Sequence, residues 1–165
     1  MIIFVSGKSG CGKSTLIAEL IKELKEKGKK VAGIISPEIR KTEREGFEII
    51  DIASTRKEIL ASLGGEGPRV SKYHVNVEGI KKIVAEFEKS FEKADVIVID
   101  EIGKMELCSK EFETMLEKIF NSGKPVVATL HRNYLNSYGK RGKLFWLEKR
   151  KLQQIKEKIL ELLNA

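Results

Sequence analysis

The 165-residue chain carries a formal net charge of +7, with 33% charged and 41% hydrophobic residues, enough for one good core and short for two. No signal peptide, no apolar run long enough to span a membrane and no internal repeat is evident, so one cytoplasmic domain over residues 1–165 with no membrane partner is expected. Two cysteines, Cys11 and Cys108, argue against a disulfide scaffold, and no His/Cys spacing suggests zinc.

Met1–Val5 is an apolar run rich in β-branched and aromatic residues, as in a buried parallel strand. It runs into Gly7-Lys8-Ser9-Gly10-Cys11-Gly12-Lys13-Ser14, which satisfies G-x-x-x-x-G-K-[ST] at every fixed position. Thr15 to Leu24 continues as an amphipathic helix with Leu16, Leu20 and Leu24 on one face. Strand, glycine loop and helix together are the context of a phosphate-binding loop. The glycines let consecutive backbone N–H groups converge on a phosphate, and the helix N-terminus adds partial positive charge. Residues Gly7 to Thr15 are therefore the expected nucleotide-binding segment. Within it, Lys13 reaches the β- and γ-phosphates and Ser14 offers its hydroxyl to Mg²⁺.

A second strand is expected over Lys30–Ile35. An antiparallel β insertion follows near residues 37–75, pairing Pro37–Arg40 with Gly46–Ile52 and extending through Arg56–Leu63, with a loop at Gly64–Pro68. Residues 78–92 read as a helix with Ile80, Ile83, Val84, Phe87 and Phe91 inward. Next comes Val96-Ile97-Val98-Ile99, which ends in Asp100 and Glu101. Carboxylates are seldom buried without a partner. Asp100 suits the aspartate that holds the Mg²⁺ shell, and Glu101 suits the base or positioning group for the attacking water. Ser109 is the expected N-cap of a helix bearing Phe112, Met115, Leu116, Ile119 and Phe120. The strand Pro125–Leu130, a shorter one at Leu144–Leu147 and a closing helix with Leu152, Ile155, Ile159, Leu162 and Leu163 complete the chain. The alternation points to an α/β fold: a mostly parallel sheet in three layers, with helices on both faces.

Asp100-Glu101 in tandem resembles the P-loop class that carries a catalytic glutamate beside the second-strand aspartate. More narrowly, Ile99-Asp100-Glu101-Ile102-Gly103-Lys104-Met105-Glu106-Leu107 closely resembles the signature of the THEP-type nucleoside-triphosphatases, a RecA-like family found in thermophiles and in animals. Glu38-Ile39-Arg40 followed by Gly46-Phe47, Lys72-Tyr73-His74-Val75, and Pro125 to Thr129 look like the same family, and the resemblance covers most of residues 1–130. It implies Mg²⁺-dependent hydrolysis of ATP, GTP and other nucleoside triphosphates to diphosphate and phosphate, with little base preference. It makes Thr129 the γ-phosphate sensor, with His131 just beyond. The high charged content, with Gln only at 153 and 154, fits a heat-adapted chain.

Charge builds on the γ-phosphate oxygens during transfer, and a cation that reaches them accelerates it. Arg40, in the family-like Glu-Ile-Arg, is the first choice, followed by Arg44, Arg132 and Arg150, with Lys104 a lesser one. Lys149-Arg150-Lys151 stands where the family tends to have Asn-Arg-Asp, so only Arg150 carries over. Tyr134, Tyr138 and Trp146 are weighed as stacking platforms for any base against ordinary packing, which is favoured for Trp146. Two other functions stay open. Residues 132–151 set seven Lys and Arg against Glu148 alone, a basic stretch with aromatic neighbours that suits nucleic acid, though no reading motif accompanies it and it is not favoured. A small nucleotide or metabolite kinase uses the same loop, but it must exclude water and offer an acceptor pocket.

Overall fold

The computed structural model describes residues 1–41 and 44–165, the side chains of residues 41 and 44 excepted. In chain order the strands are β1 (Ile2–Gly7), β2 (Val31–Ile35), β3 (Glu38–Lys41), β4 (Arg44–Asp51), β5 (Lys57–Ser62), β6 (Arg69–Val70), β7 (Tyr73–Val75), β8 (Val96–Ile102), β9 (Val126–Leu130) and β10 (Lys143–Leu147). The helices are α1 (Lys13–Glu26), α2 (Val77–Phe91), α3 (Lys110–Phe120), the single turn α4 (Leu135–Tyr138) and α5 (Leu152–Leu162). All strands join one sheet in the order β10-β1-β9-β8-β2-β4-β5-β7-β6, with β3 paired to β4.

The parallel part, β10-β1-β9-β8-β2, is apolar throughout because both faces are covered. Side chains still alternate. Phe4, Ile97, Ile99 and Ala128 face α2 and α3, packing with Ile83, Phe87, Phe112 and Leu116. Ile3, Val5, Val96, Val98 and Val127 face α1 and α5, packing with Leu16, Leu20, Leu24 and Ile159. That is the three-layer arrangement anticipated from the periodicities.

The insertion over 37–75 is antiparallel, as its turns suggested, but it is no separate layer. β4 pairs with β2 through Ile34↔Asp51 and Ile35↔Ile50, so β3 to β7 prolong the main sheet beyond the edge of β2. The sequence signal for a hairpin does not distinguish these outcomes, because the pairing of β4 with β2 is non-local.

Two helix starts are held by side chains. Asn76 accepts the N–H of Gly79 at 3.1 Å and donates to the carbonyl of Ile59 at 2.9 Å, fastening α2 to β5. Ser109 accepts the N–H of Phe112 at 3.2 Å, the cap expected for α3. On the far side, Lys156 of α5, its side chain 7% exposed, donates to Glu19 and Glu23 of α1 at 3.2 Å each. Among the described residues, no helix is long and apolar enough to cross a membrane.

Candidate functional site

The site lies at the C-terminal ends of the parallel strands, where loops leave the sheet and backbone groups are free. The loop after β1 turns on a hydrogen bond from the Cys11 N–H to the Lys8 carbonyl at 3.1 Å. Gly12 precedes α1 at φ 102, a left-handed conformation that costs glycine nothing. Gly7 passes so near β10 that a Cβ there would lie 2.8 Å from the Leu147 carbonyl oxygen. Unlike α2 and α3, α1 has no side-chain cap and no acidic residue in its first turn. Its first N–H groups therefore stay available to an anion.

β8 delivers the carboxylates from the middle of the parallel sheet, between β9 and β2. Adjacent strand residues ordinarily point to opposite faces, yet Asp100 and Glu101 serve one site. The β8–β9 register shifts between Ile99 and Ile102, and this irregularity frees the two residues from strict alternation. Asp100 is buried; its Oδ1 accepts from Thr129 Oγ1 at 2.6 Å and its Oδ2 from Ser14 Oγ at 3.1 Å. Lys13 Nζ lies 3.5 Å from Glu101 Oε2, the side chains 13% and 29% exposed, and donates to the Gly7 carbonyl at 3.4 Å. The positive partner of the strand-end carboxylates is thus Lys13, which spans from loop to glutamate.

Burial pushes the Asp100 carboxyl above its ordinary value, against hydrogen bonds from Thr129 and Ser14 and the charge of Lys13. Burial likewise raises Glu101; Lys13 pulls it down, Asp100 pushes it up and His131 pulls it down. A raised carboxylate is the direction in which a general base gains strength. Ser14 and Asp100 fit a Mg²⁺ site in a triphosphate enzyme, where one hydroxyl and one carboxylate suffice and phosphate and water complete the shell. Among the described residues, no cluster of three or more His, Cys, Asp and Glu able to hold a metal occurs.

These groups line a cavity of about 510 Å³ that also takes in Gly7, Ser9, Gly10, Arg40, Lys104, His131 and Arg132. Gly12 and Thr15 open α1 beside it. Arg40 reaches it from β3, 84% exposed and 3.5 Å from Glu38. The side chain of Arg44 lies outside the described residues. Arg150 does not line the cavity; it pairs with Glu148 at 3.0 Å. Thr129 does not line it either; its hydroxyl is donated to Asp100. His131 accepts the Asn133 N–H at Nδ1, which leaves Nε2 as the protonated nitrogen of the neutral ring.

The three aromatic platforms are not gathered there. Tyr138 packs on Phe120, Tyr134 on His131, and Trp146 stands partly exposed on the edge strand β10. Within the basic stretch, Arg141 is held by both oxygens of Glu117 at 2.6 and 2.8 Å and Arg150 by Glu148, so part of its charge is neutralised internally.

Sequence reasoning passed over Glu106. It is 4% exposed, lines the cavity and points to the turn at Gly103, as Glu101 does: a Cβ on Gly103 would lie 3.0 Å from Glu101 Oε1 and 3.2 Å from Glu106 Oε1. Burial, with the nearby Glu101 charge, pushes its pKa up to about 8. The signal available was a third carboxylate between Met105 and Leu107, an acid set among apolar residues just past the strand.

Comparison with known proteins places the chain in a family. The model of a family described as NTPase matches residues 2–160. The nucleoside-triphosphatase THEP1 of Methanocaldococcus jannaschii is 38% identical over 167 residues, covering 100% of this chain and 98% of that one. The crystal structure of THEP1 from the hyperthermophile Aquifex aeolicus superposes with a TM-score of 0.86 at 31% identity, covering 100% of both chains. The solution structure of a human cancer-related nucleoside triphosphatase does so with a TM-score of 0.77 at 26% identity, over 97% of this chain and 95% of that one. On the family match and the full-length likeness to its relative, this chain belongs to the NTPase family.

Proposed function

We propose that residues 1–165 form one catalytic domain that hydrolyses nucleoside 5′-triphosphates, ATP and GTP among them, to diphosphate and phosphate with Mg²⁺. The observation that supports this reading is the Lys13–Glu101 pair at 3.5 Å, which brings the lysine of the glycine loop beside a raised carboxylate. The α1 N-terminus and the loop from Gly7 to Thr15 cradle the phosphates. Lys13 turns from the Gly7 carbonyl and Glu101 towards the β- and γ-phosphates. Ser14 and Asp100 would hold Mg²⁺, which when bound neutralises charge on the β- and γ-oxygens. Thr129 orients Asp100. Glu101 aligns the attacking water and takes its proton, an effect typically worth roughly 10²–10⁴ in rate. Arg40, tethered among the described residues only to Glu38, swings to the γ-phosphate as charge develops. Tyr134, Tyr138 and Trp146 do not line the cavity, so stacking on these three sets no base preference. Two free cysteines suit the reducing cytoplasm.

The test is incubation of the purified protein with ATP, GTP, CTP or UTP, with and without Mg²⁺ and with no acceptor. Phosphate released from all four only with Mg²⁺ is expected. Absence of release from every triphosphate would overturn the reading.

A further inference from the structure

At the end of the sheet opposite the phosphate loop lies a second cavity, of about 400 Å³, lined by Lys25, Lys29, Lys30, Lys89 and Lys93. Buried Val31, Ala32 and Ala94 form its floor, and no carboxylate among the described residues lines it. The length of β2 separates it from the first cavity: Val31 starts that strand, whereas Ser36 and Pro37, just past its end, line the other space. Lys13 likewise opens α1 and Lys25 lies in its last turn, about 18 Å away along the axis at 1.5 Å per residue. Lys89 pairs with Glu86 at 3.0 Å, a carboxylate that Arg56 shares at 3.6 Å. Lys25, Lys29, Lys30 and Lys93 form no ion pair among the described residues. Asp95 turns an oxygen to the backbone N–H of Lys30 at 2.7 Å, and the exposed Glu26 and Glu92 stand outside the lining. A helix dipole favours lysine in the last turn, which accounts for Lys25 in α1 and Lys89 in α2. Lys29, Lys30 and Lys93 lie beyond the helix ends. Nor are they spent on caps: the carbonyls of Glu92 and Ala94 accept from Lys124 at 3.0 Å each, and that of Lys25 from the Gly28 N–H at 3.0 Å.

Like charges gathered in one concave place repel one another, and above an apolar floor they focus a positive potential that draws in anions. Ammonium groups from separate elements match a ligand with several neighbouring negative oxygens. Linked phosphates carry that density, and lysine binds them as a point charge without needing the fork of arginine. The volume is that of a small-molecule pocket, typically about 300–1,000 Å³. We propose that this cavity is a second, non-catalytic site for a small molecule carrying two or more linked phosphates. With neither carboxylate nor histidine in the lining, the site holds its ligand and does not transform it. A free inorganic polyphosphate and the phosphate tail of a nucleotide share this chemistry. The inference does not rest on the triphosphate reading of the loop.

The full chain is titrated with a non-hydrolysable ATP analogue and Mg²⁺, then with inorganic tripolyphosphate, while backbone amide shifts are followed by NMR. Orthophosphate and a short single-stranded oligonucleotide are run in parallel. The amides of Lys29, Ala53 and Ala94 are expected to move in a step separate from those of Gly10 and Ser14. Movement on adding tripolyphosphate assigns the site to free polyphosphate. Movement already with a second equivalent of analogue assigns it to a nucleotide tail. Lys30→Glu with Lys93→Glu, both side chains exposed, should weaken that step by about tenfold or more and leave ATP hydrolysis unchanged. Lys30→Gln with Lys93→Gln serves in the same direction if charge reversal prevents folding. Amides that stay still with both tripolyphosphate and analogue overturn the proposal, as does binding undiminished in the lysine variants. Orthophosphate binding as tightly as tripolyphosphate overturns it too, since linked phosphates would then carry no advantage. Movement with the oligonucleotide alone would assign the lysines to a phosphodiester backbone instead and equally overturn it.

Discussion

Glu106 keeps its proton to about pH 8 because it is buried and faces the charge of Glu101. An unfolded glutamate ionises near its ordinary value of 4.5, so the native state binds the proton more tightly. Stability from this group is then fullest below about pH 4.5 and is lost as pH rises towards about 8, a cost on the order of a few kcal/mol once complete. Glu106→Gln, which cannot ionise, should melt close to the parent at about pH 5 and above it at about pH 9, by about 2–4 °C per kcal/mol for a chain of this size. Calorimetry at the two pH values decides it, and parallel profiles would show that Glu106 is charged in the fold. Arg40 makes a different demand. Being 84% exposed and tied, among the described residues, only to Glu38, it contributes little to the ground state. Arg40→Ala should lower kcat, with a ceiling of roughly 10³–10⁵ for a full transition-state cation, and barely change nucleotide affinity. An unchanged kcat would clear Arg40 of that role.

At the scale of elements, the local signals were strong where one residue does one job. Ser109 caps α3 as its position before Phe112 suggests, and the stripe from Ile80 to Phe91 packs inward. The strand ends at Gly7 and Asp100 were legible because a fully apolar run changes abruptly to glycine or carboxylate. What stayed hidden is non-local. Nothing in Gly46–Ile52 announces that β4 will continue the main sheet from β2, nor that Phe47, Leu60 and Val70 will line a cavity as well as pack in the core. Periodicity reports which face is apolar but not what meets it. Asn76 is where this extension is fastened, since it caps α2 and holds the Ile59 carbonyl of β5. Asn76→Ala should therefore cost about 1 kcal/mol from the cap, plus roughly another for the Ile59 bond. Urea unfolding should show a lower midpoint at unchanged slope. No loss would mean that neighbouring groups replace both bonds.

Across the whole molecule, a five-stranded parallel core sets loop and carboxylates side by side, and an antiparallel extension prolongs the sheet and adds residues to the cavity lining. Ion pairs such as Arg141–Glu117 and Lys118–Glu88 neutralise part of the surface charge of a chain whose net charge is +7. The chemistry was readable in one dimension because phosphate binding is a local backbone motif; Glu106 was not, because its meaning depends on Gly103 folding it back towards Glu101. The central claim is that loop and lysine bind the triphosphate while Glu101 activates water. The most direct test measures triphosphate affinity and single-turnover hydrolysis on one preparation of Glu101→Gln, beside Lys13→Ala. Lys13→Ala should lose affinity and rate together, because it touches the ground state. Glu101→Gln should bind nucleotide as well as the parent, or slightly better for the charge removed, with hydrolysis slowed by roughly 10²–10⁴. Hydrolysis near the parent rate in Glu101→Gln would contradict the account, because the base would then lie elsewhere.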